Sequence, residues 1–267
     1  MKVVIAIDSF KGSISSPDAG AAIREGIHRV FPDAEIFVRP LADGGEGTVE
    51  ALALGMHGRI RTVTVTGPLG TPVEAAYGIL DDSKTAIIEM SAAAGITLVD
   101  EPNRNPLYTT TYGVGELIRD AIVNGCRNFI VGIGGSATND GGIGMLQALG
   151  YEFRDNNGQP VSFGANGLSK IATIHDTHVL PDLKDCHFKI ACDVTNPLCG
   201  PQGCSAIFGP QKGATPDMIR QMTTLAPEPP VDSVSLSFPT QMPSSSPASR
   251  SFWKKPDWNP VSKMLTS

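Results

Sequence analysis

The chain has 267 residues, 41% hydrophobic and 18% charged, enough for one or two globular domains with a sizeable core. Its 21 Lys plus Arg against 27 Asp plus Glu leave a formal charge of −6, opposite in sign to the footprint of a nucleic-acid binder. The five cysteines form no CxxC pair and have no matching histidine pair, which argues against a disulfide framework or a zinc knuckle. No run approaches the roughly 20 apolar residues that span a bilayer, and Asp8 interrupts the apolar start, so a reducing, cytoplasmic setting without a membrane partner is expected.

In chain order, VVIAID at 3–8 reads as a strand. A helix follows, started by Ser16 with Pro17 at its first position and Asp18 near its positive end, and stopped by Pro32. Further apolar runs at 35–43, 60–67, 86–90, 129–134 and 188–193 predict strands covered on both faces. Residues 59–90 hold several β runs with no helical pattern between them, which predicts a mixed sheet in a second lobe. A helix over 112–123 places Val114, Leu117, Ile118, Ala121 and Ile122 near one face and feeds the strand at 129. This alternation argues an α/β fold. All 29 glycines lie within the first 225 residues, whereas the remaining 42 hold both tryptophans, Trp253 and Trp258.

The most informative segment is VGIGGSATNDGGIGML at 131–146, where a buried-type strand meets a glycine-rich turn and a helix begins. Gly132, Gly134, Gly135, Gly141 and Gly142 let the backbone approach a ligand, and a helix start adds positive potential, which suits a phosphate or carboxylate. Ser136, Thr138, Asn139 and Asp140 add side chains that donate, accept or hold a metal. Gly132, Gly134 and Ala137 also fit the loose GxGxxA dinucleotide fingerprint, a weak signal alone, and tight strand–helix packing is another use of such a loop. A GxxxxGK[ST] P-loop is absent, since no Gly-Lys dipeptide occurs.

IAIDSFKGS at 5–13 follows the first strand, and open α/β sheets bind ligands at the carboxyl ends of their strands. There Lys11 can neutralise a transferring phosphoryl group and Asp8 can bind Mg²⁺ or orient a hydroxyl; a solvated lysine and a turn aspartate would be spelled the same way. PLADGGEGT at 40–48 repeats the arrangement with Asp43 and Glu46, suited to a metal, a substrate hydroxyl, or only an Asp-Gly turn and a helix start. In CDVTNPLCGPQGCSAIFGPQKGA at 192–214, Asp193 can act as a base or metal carboxylate and Lys212 as a phosphate clamp. Cys192, Cys199 and Cys204 read there as small fillers. Arg104 can bind a carboxylate or stand at the surface beside Pro106, and the five histidines, lacking metal spacing, read as structural or surface residues.

Taken together, DSFKGS at 8–13, PLADGGEGT at 40–48, EMSAAAG at 89–95, TTTYGVGELI at 109–118, GIGGSATNDGG at 132–142, NPLCGPQG at 196–203 and FGPQKGA at 208–214 closely resemble the bacterial glycerate kinases. The resemblance covers residues 1 to about 222. It implies a two-lobed α/β kinase, with a flavodoxin- or Rossmann-like parallel lobe over 1–66, incomplete here, and a second α/β lobe with a mixed sheet over 67–222. It also implies phosphorylation of D-glycerate by ATP with Mg²⁺, the ligands lying between the lobes, and it leaves a homodimer open. Lys11, Asp43, Ser136, Asn139, Asp140, Asp193 and Lys212 fall inside its motifs. On physical grounds the expected phosphate contacts are Gly134, Gly135, Asn139, Gly141 and Gly142, with Lys11 or Lys212. Mg²⁺ is expected near Asp140 or Asp193, glycerate near Asp43, Ser136 and Arg104, and the catalytic groups are Lys11, Asp193 and Lys212.

The family continues through a GAGAAGG segment and a GIEIV strand that helps complete the first lobe, and neither is spelled here. Reverse-translating 225–232 as CTG GCG CCG GAG CCG CCG GTG GAC and reading from the last base of the leucine codon gives GAGAAGG, and the same shift turns PASRSFWKK into GIEIVLEE. Residues 223–267 therefore read as an out-of-frame tail, preceded by some lost coding sequence and expected to be disordered. Such a loss would leave unpaired edges and uncovered apolar surface in the first lobe. A non-catalytic fragment that binds nucleotide or glycerate is the alternative reading.

Overall fold

A computed structural model describes residues 1–8, 10, 13–41, 47–192 and 194–224. Lys11, Asp43, Glu46, Asp193 and the expected tail from Leu225 lie outside the described residues.

The chain opens with two parallel strands, β1 (Lys2–Ile7) and β2 (Glu35–Pro40), paired from Lys2↔Glu35 to Ile7↔Pro40 and joined by helix α1 (Ser16–Val30). The helix is capped one residue earlier than its sequence suggests. Ser15 accepts from the Asp18 N–H, while the Ser16 hydroxyl donates instead to the Ile7 carbonyl at 2.6 Å and ties the helix start to the end of β1. At the other end the Phe31 N–H donates to the Ile27 carbonyl just before Pro32.

Helix α2 (Thr48–Gly55) leads into a five-stranded mixed sheet of β3 (Arg59–Thr66), β4 (Pro72–Leu80), β5 (Thr85–Glu89), β6 (Asn128–Gly132) and β9 (His187–Ala191), in that spatial order. The pairs β3–β4 and β4–β5 are antiparallel, and β5–β6 and β6–β9 are parallel. Strand β3, which the β runs over 59–90 assigned to the mixed sheet of the second lobe and the 1–66 bounds to the first, pairs along its whole length with β4, because the turn at 67–71 closes an antiparallel hairpin. The lobe boundary that we propose therefore falls before Arg59.

The remaining elements are α3 (Met90–Ala94), α4 (Tyr112–Val123), α5 (Ile143–Ala148), a small antiparallel pair of β7 (Glu152–Arg154) and β8 (Thr173–His175), α6 (Gly164–Leu168), α7 (Cys204–Phe208) and α8 (Pro216–Thr224). The five apolar residues expected on one face of α4 are all buried, in one core with Tyr77, Ile79, Ile88, Phe129 and Leu146. Each large aliphatic side chain so buried contributes about 2 kcal/mol. On the opposite face of the sheet Val49 and Leu52 of α2 pack against Leu80 and Ile87, so Ile87 and Ile88 point to opposite sides as the strand period requires. A polar clasp adds to the packing. Asp120 on α4 accepts from Arg61 Nε at 2.6 Å and from the hydroxyl of fully buried Tyr77 at 2.7 Å, and Arg61 holds its carboxyl below the usual range.

Candidate active site at the carboxyl edge of the parallel strands

The register of the three parallel strands places Glu89, Gly132 and Ala191 in a row. The segments that follow them therefore leave the sheet from the same edge, where open α/β folds bind ligands.

The glycine-rich segment after β6 is fastened from several sides. The Ala137 N–H donates to the Ala94 carbonyl and the Ile96 N–H to the Gly135 carbonyl, both at 2.8 Å, and Thr109 Oγ1 donates to the Ala137 carbonyl at 2.8 Å. Asn139 Nδ2 donates to Ser205 Oγ at 2.9 Å, which joins the segment to α7. Gly134 and Gly135 remain open to solvent, whereas Asn139, Gly141 and Gly142 are partly packed.

Asp140 has a different environment from the one its sequence suggests. It is 1% exposed; its Oδ1 accepts from Gly142 N, and its Oδ2 accepts from Thr111 N, Thr111 Oγ1 and Gly144 N at 2.9, 2.8 and 3.3 Å. The carboxylate thus fills the positive starts of both α4 and α5, the place the sequence offered to an incoming anion. Burial pushes its carboxyl up, against the opposing pull of these four hydrogen bonds.

Lys212 ends a single 3₁₀ turn, Pro210–Lys212, and reaches back 76 residues to donate to Ser136 Oγ at 2.9 Å and to the Thr138 carbonyl at 2.6 Å. An ammonium carries three donors, and these acceptors use two. Burial lowers the lysine to about 8, with the Asp140 charge opposing the shift. The turn is closed by Gly213 at φ 86°, and a side chain there would strike the Arg104 carbonyl at 2.2 Å. Arg104 thereby backs the turn that carries Lys212, while its own Nε donates to the Val99 carbonyl at 3.3 Å.

The fold thus brings together Ser136, Gly134, Gly135, Lys212 and the backbone of Arg104. One further residue belongs with them that the sequence reading did not single out. Glu89, only 7% exposed at the end of β5, accepts from the Val49 N–H at 2.6 Å and from Ser91 Oγ at 3.4 Å. Its carboxylate ties the start of α2, where the PLADGGEGT motif ends, to the end of β5, and its register partner Gly132 heads the glycine-rich segment. Its signal in the sequence was an acidic residue closing an otherwise apolar strand, TAIIE.

These features define an open α/β protein whose polar groups gather at the carboxyl edge of a parallel half-sheet. Residues 3–226 match the glycerate kinase family. The chain is 53% identical over 222 residues to a glycerate kinase of Haemophilus influenzae and 52% identical over 222 residues to the glycerate 2-kinase of Escherichia coli. A crystal structure assigned as glycerate kinase 2 of Salmonella typhimurium LT2 superimposes with a TM-score of 0.77 at 52% identity, covering 84% of this chain and 60% of that one. The chain belongs to the glycerate kinase family, with an α/β fold containing a mixed sheet and parallel strands. It spans 83% of its own length in the first two matches but only 59% and 58% of those relatives.

Proposed function

We propose that this chain serves ATP-dependent phosphorylation of a hydroxyl of D-glycerate. The observation that carries the reading is the partly buried Lys212 ammonium held between Ser136 and Thr138 at the carboxyl edge of β6. Phosphoryl transfer asks a protein mainly for in-line positioning and neutralisation of charge on the moving group. Lys212 supplies the positive charge, and the solvent-open backbone of Gly134 and Gly135 allows phosphate to come close. Ser136, oriented by Lys212, is proposed to face the glycerate, with Asp43 and Arg104 as further substrate contacts and Lys11 and Asp193 as catalytic groups.

Mg²⁺ supplies charge neutralisation in reactions of this class. Asp140 does not fit it, since both carboxylate oxygens are committed to protein donors. Among the described residues no group of three or more His, Cys, Asp or Glu could hold a metal ion. Asp193 is the proposed Mg²⁺ carboxylate. Among the described residues no helix is long and apolar enough to cross a membrane.

The test is an ADP-release assay with D-glycerate, ATP and Mg²⁺ on this chain, alone and together with the part of a relative that lies outside the match. The expected result is release that needs D-glycerate and falls about 100-fold in Lys212→Met, the scale set by losing one charge-stabilising donor. Release that ignores D-glycerate, or is untouched by Lys212→Met, overturns the reading. The 59% coverage of the relative favours a second reading, a fragment that binds nucleotide or glycerate without turnover. A ligand-induced rise in melting temperature with no ADP release in either setting would select it.

A further inference from the structure

The charges of α1 and β2 are unevenly matched. Their carboxylates are all engaged: Asp18 with Ser15, Glu25 with Arg29 at 2.5 Å, and Glu35 with Lys2 at 3.3 Å. Arg24 on α1 has no partner among the described residues, and neither has His57 in the turn after α2. Arg39 near the end of β2 donates from Nη1 to the Val38 carbonyl at 3.3 Å and rests its guanidinium 5.9 Å from the centre of the Phe37 ring, which leaves most of its five donors unused. These three cationic side chains line one cavity of about 380 Å³ together with Pro17, Ala21, Val38 and Pro40, and no carboxylate among the described residues lines it. In a chain of formal charge −6, that is a local excess of positive charge with no counter-ion of its own.

The fold fixes the walls of this cavity. Pro17, Ala21 and Arg24 fall on one face of α1 at helical spacing. Gly20 packs so closely that an added Cβ would stand 2.4 Å from Val38 Cγ1, which holds the helix against β2. His57 comes from a turn in which its φ is 57° and the Gly58 N–H donates to the Ala53 carbonyl at 2.7 Å. This is the left-handed position after a helix that glycine fills without steric cost, and an imidazole there costs conformational energy that glycine would not. We propose that the cavity is a second anion site of this protein, which takes the phosphate group of a small anion on Arg24, Arg39 and His57. Guanidinium forks match phosphate oxygens two at a time, and the volume falls in the range of roughly 300–1,000 Å³ typical of small-molecule pockets. None of the residues gathered around Lys212 lines it. Occupancy would tie α1 and β2 to the turn that enters β3, bracing the two-stranded pair against the larger sheet. The proposed reaction would supply one such anion, phosphoglycerate, and free phosphate is another source; the site itself does not rest on that reaction.

The test is calorimetric titration of the full chain carrying Lys212→Met, which removes the charge of the candidate active site, with 2-phosphoglycerate, inorganic phosphate and D-glycerate in turn. One-to-one saturation by a phosphate-bearing probe is expected, with D-glycerate at least about tenfold weaker, and Arg24→Gln and Arg39→Gln should each weaken the phosphate-bearing probe at least about tenfold. His57→Gly should weaken it as well without lowering the melting temperature, a pairing that damage to the fold would not produce. Melting curves check each variant, and if Arg39→Gln unfolds, Arg39→Lys takes its place with the same expectation, since an ammonium lacks the fork. Tighter binding of 2-phosphoglycerate than of phosphate assigns the ester as ligand, equal binding assigns free phosphate, and both sustain the site. No saturable binding, binding untouched by the three variants, or binding that sodium chloride at about 0.15 M erases overturns it. Binding without D-glycerate-dependent ADP release by the unsubstituted chain sustains the site while removing the reaction.

Discussion

With its ammonium held at about 8, Lys212 is half neutral at a pH where an ordinary lysine is fully charged. Phosphate affinity that depends on this charge should be full well below pH 8 and fall as pH rises through it; calorimetric ATP titrations across that range check this. Arginine at the same position should abolish the alkaline fall, since a guanidinium stays charged. The stability term has the opposite slope. The unfolded lysine keeps its proton to about 10.4, so between the two values the unfolded state binds more protons and the urea midpoint should rise with pH. Asp140 makes a second case. In Asp140→Asn an amide replaces one acceptor oxygen among four donors, and the fold should lose about 3 kcal/mol, read by urea denaturation. Both residues were legible as polar groups in ligand-prone loops, but their partners were not. Lys212 meets Ser136 across 76 residues and Asp140 meets Thr111 across 29, and local spacing carries no trace of either meeting.

The helix α4 was readable because its apolar residues recur at helical spacing, and all five face the core. Its closeness to α5 was not readable. A Cβ on Gly115 would stand 2.2 Å from the Met145 carbonyl oxygen and 2.7 Å from the Ala148 Cβ, so this glycine sets how near the two helices lie. Gly115→Ala should raise the intrinsic propensity of α4 and still destabilise the protein by about 2 kcal/mol, because overpacking outweighs the gain. Thermal and urea melts of the single variant test this. Strands β7 and β8 went unread for a simpler reason: three residues each are too short for a period-2 pattern to stand out. The placement of β3 depended on a hairpin partner, which strand propensity alone does not name.

At the scale of the molecule, a large sheet with helices on both faces stands beside a two-stranded pair covered on one. Local stability should differ accordingly, and the amides of β1 and β2 should exchange with solvent well before those of β5 and β6. Hydrogen exchange with mass detection reads this directly, and uniform protection across both sheets would contradict it. The α/β class, most strand positions and the edge that gathers the polar groups were all legible, because apolar runs ending in glycines mark strand ends. The order and register of the strands within each sheet were not, since pairing is decided by which strands meet rather than by what each strand is. The parallel pair also precedes the five-stranded sheet in chain order, so β1 and β2 leave the ribosome before that sheet's strands and are among the least able to stand alone. During synthesis at about 5–20 residues per second, Val4 and Phe37 emerge seconds before the β5–β6 core can form. Throughout that interval the nascent chain exposes apolar strands before the larger core can form, so its risk of aggregation during synthesis is set by β1 and β2.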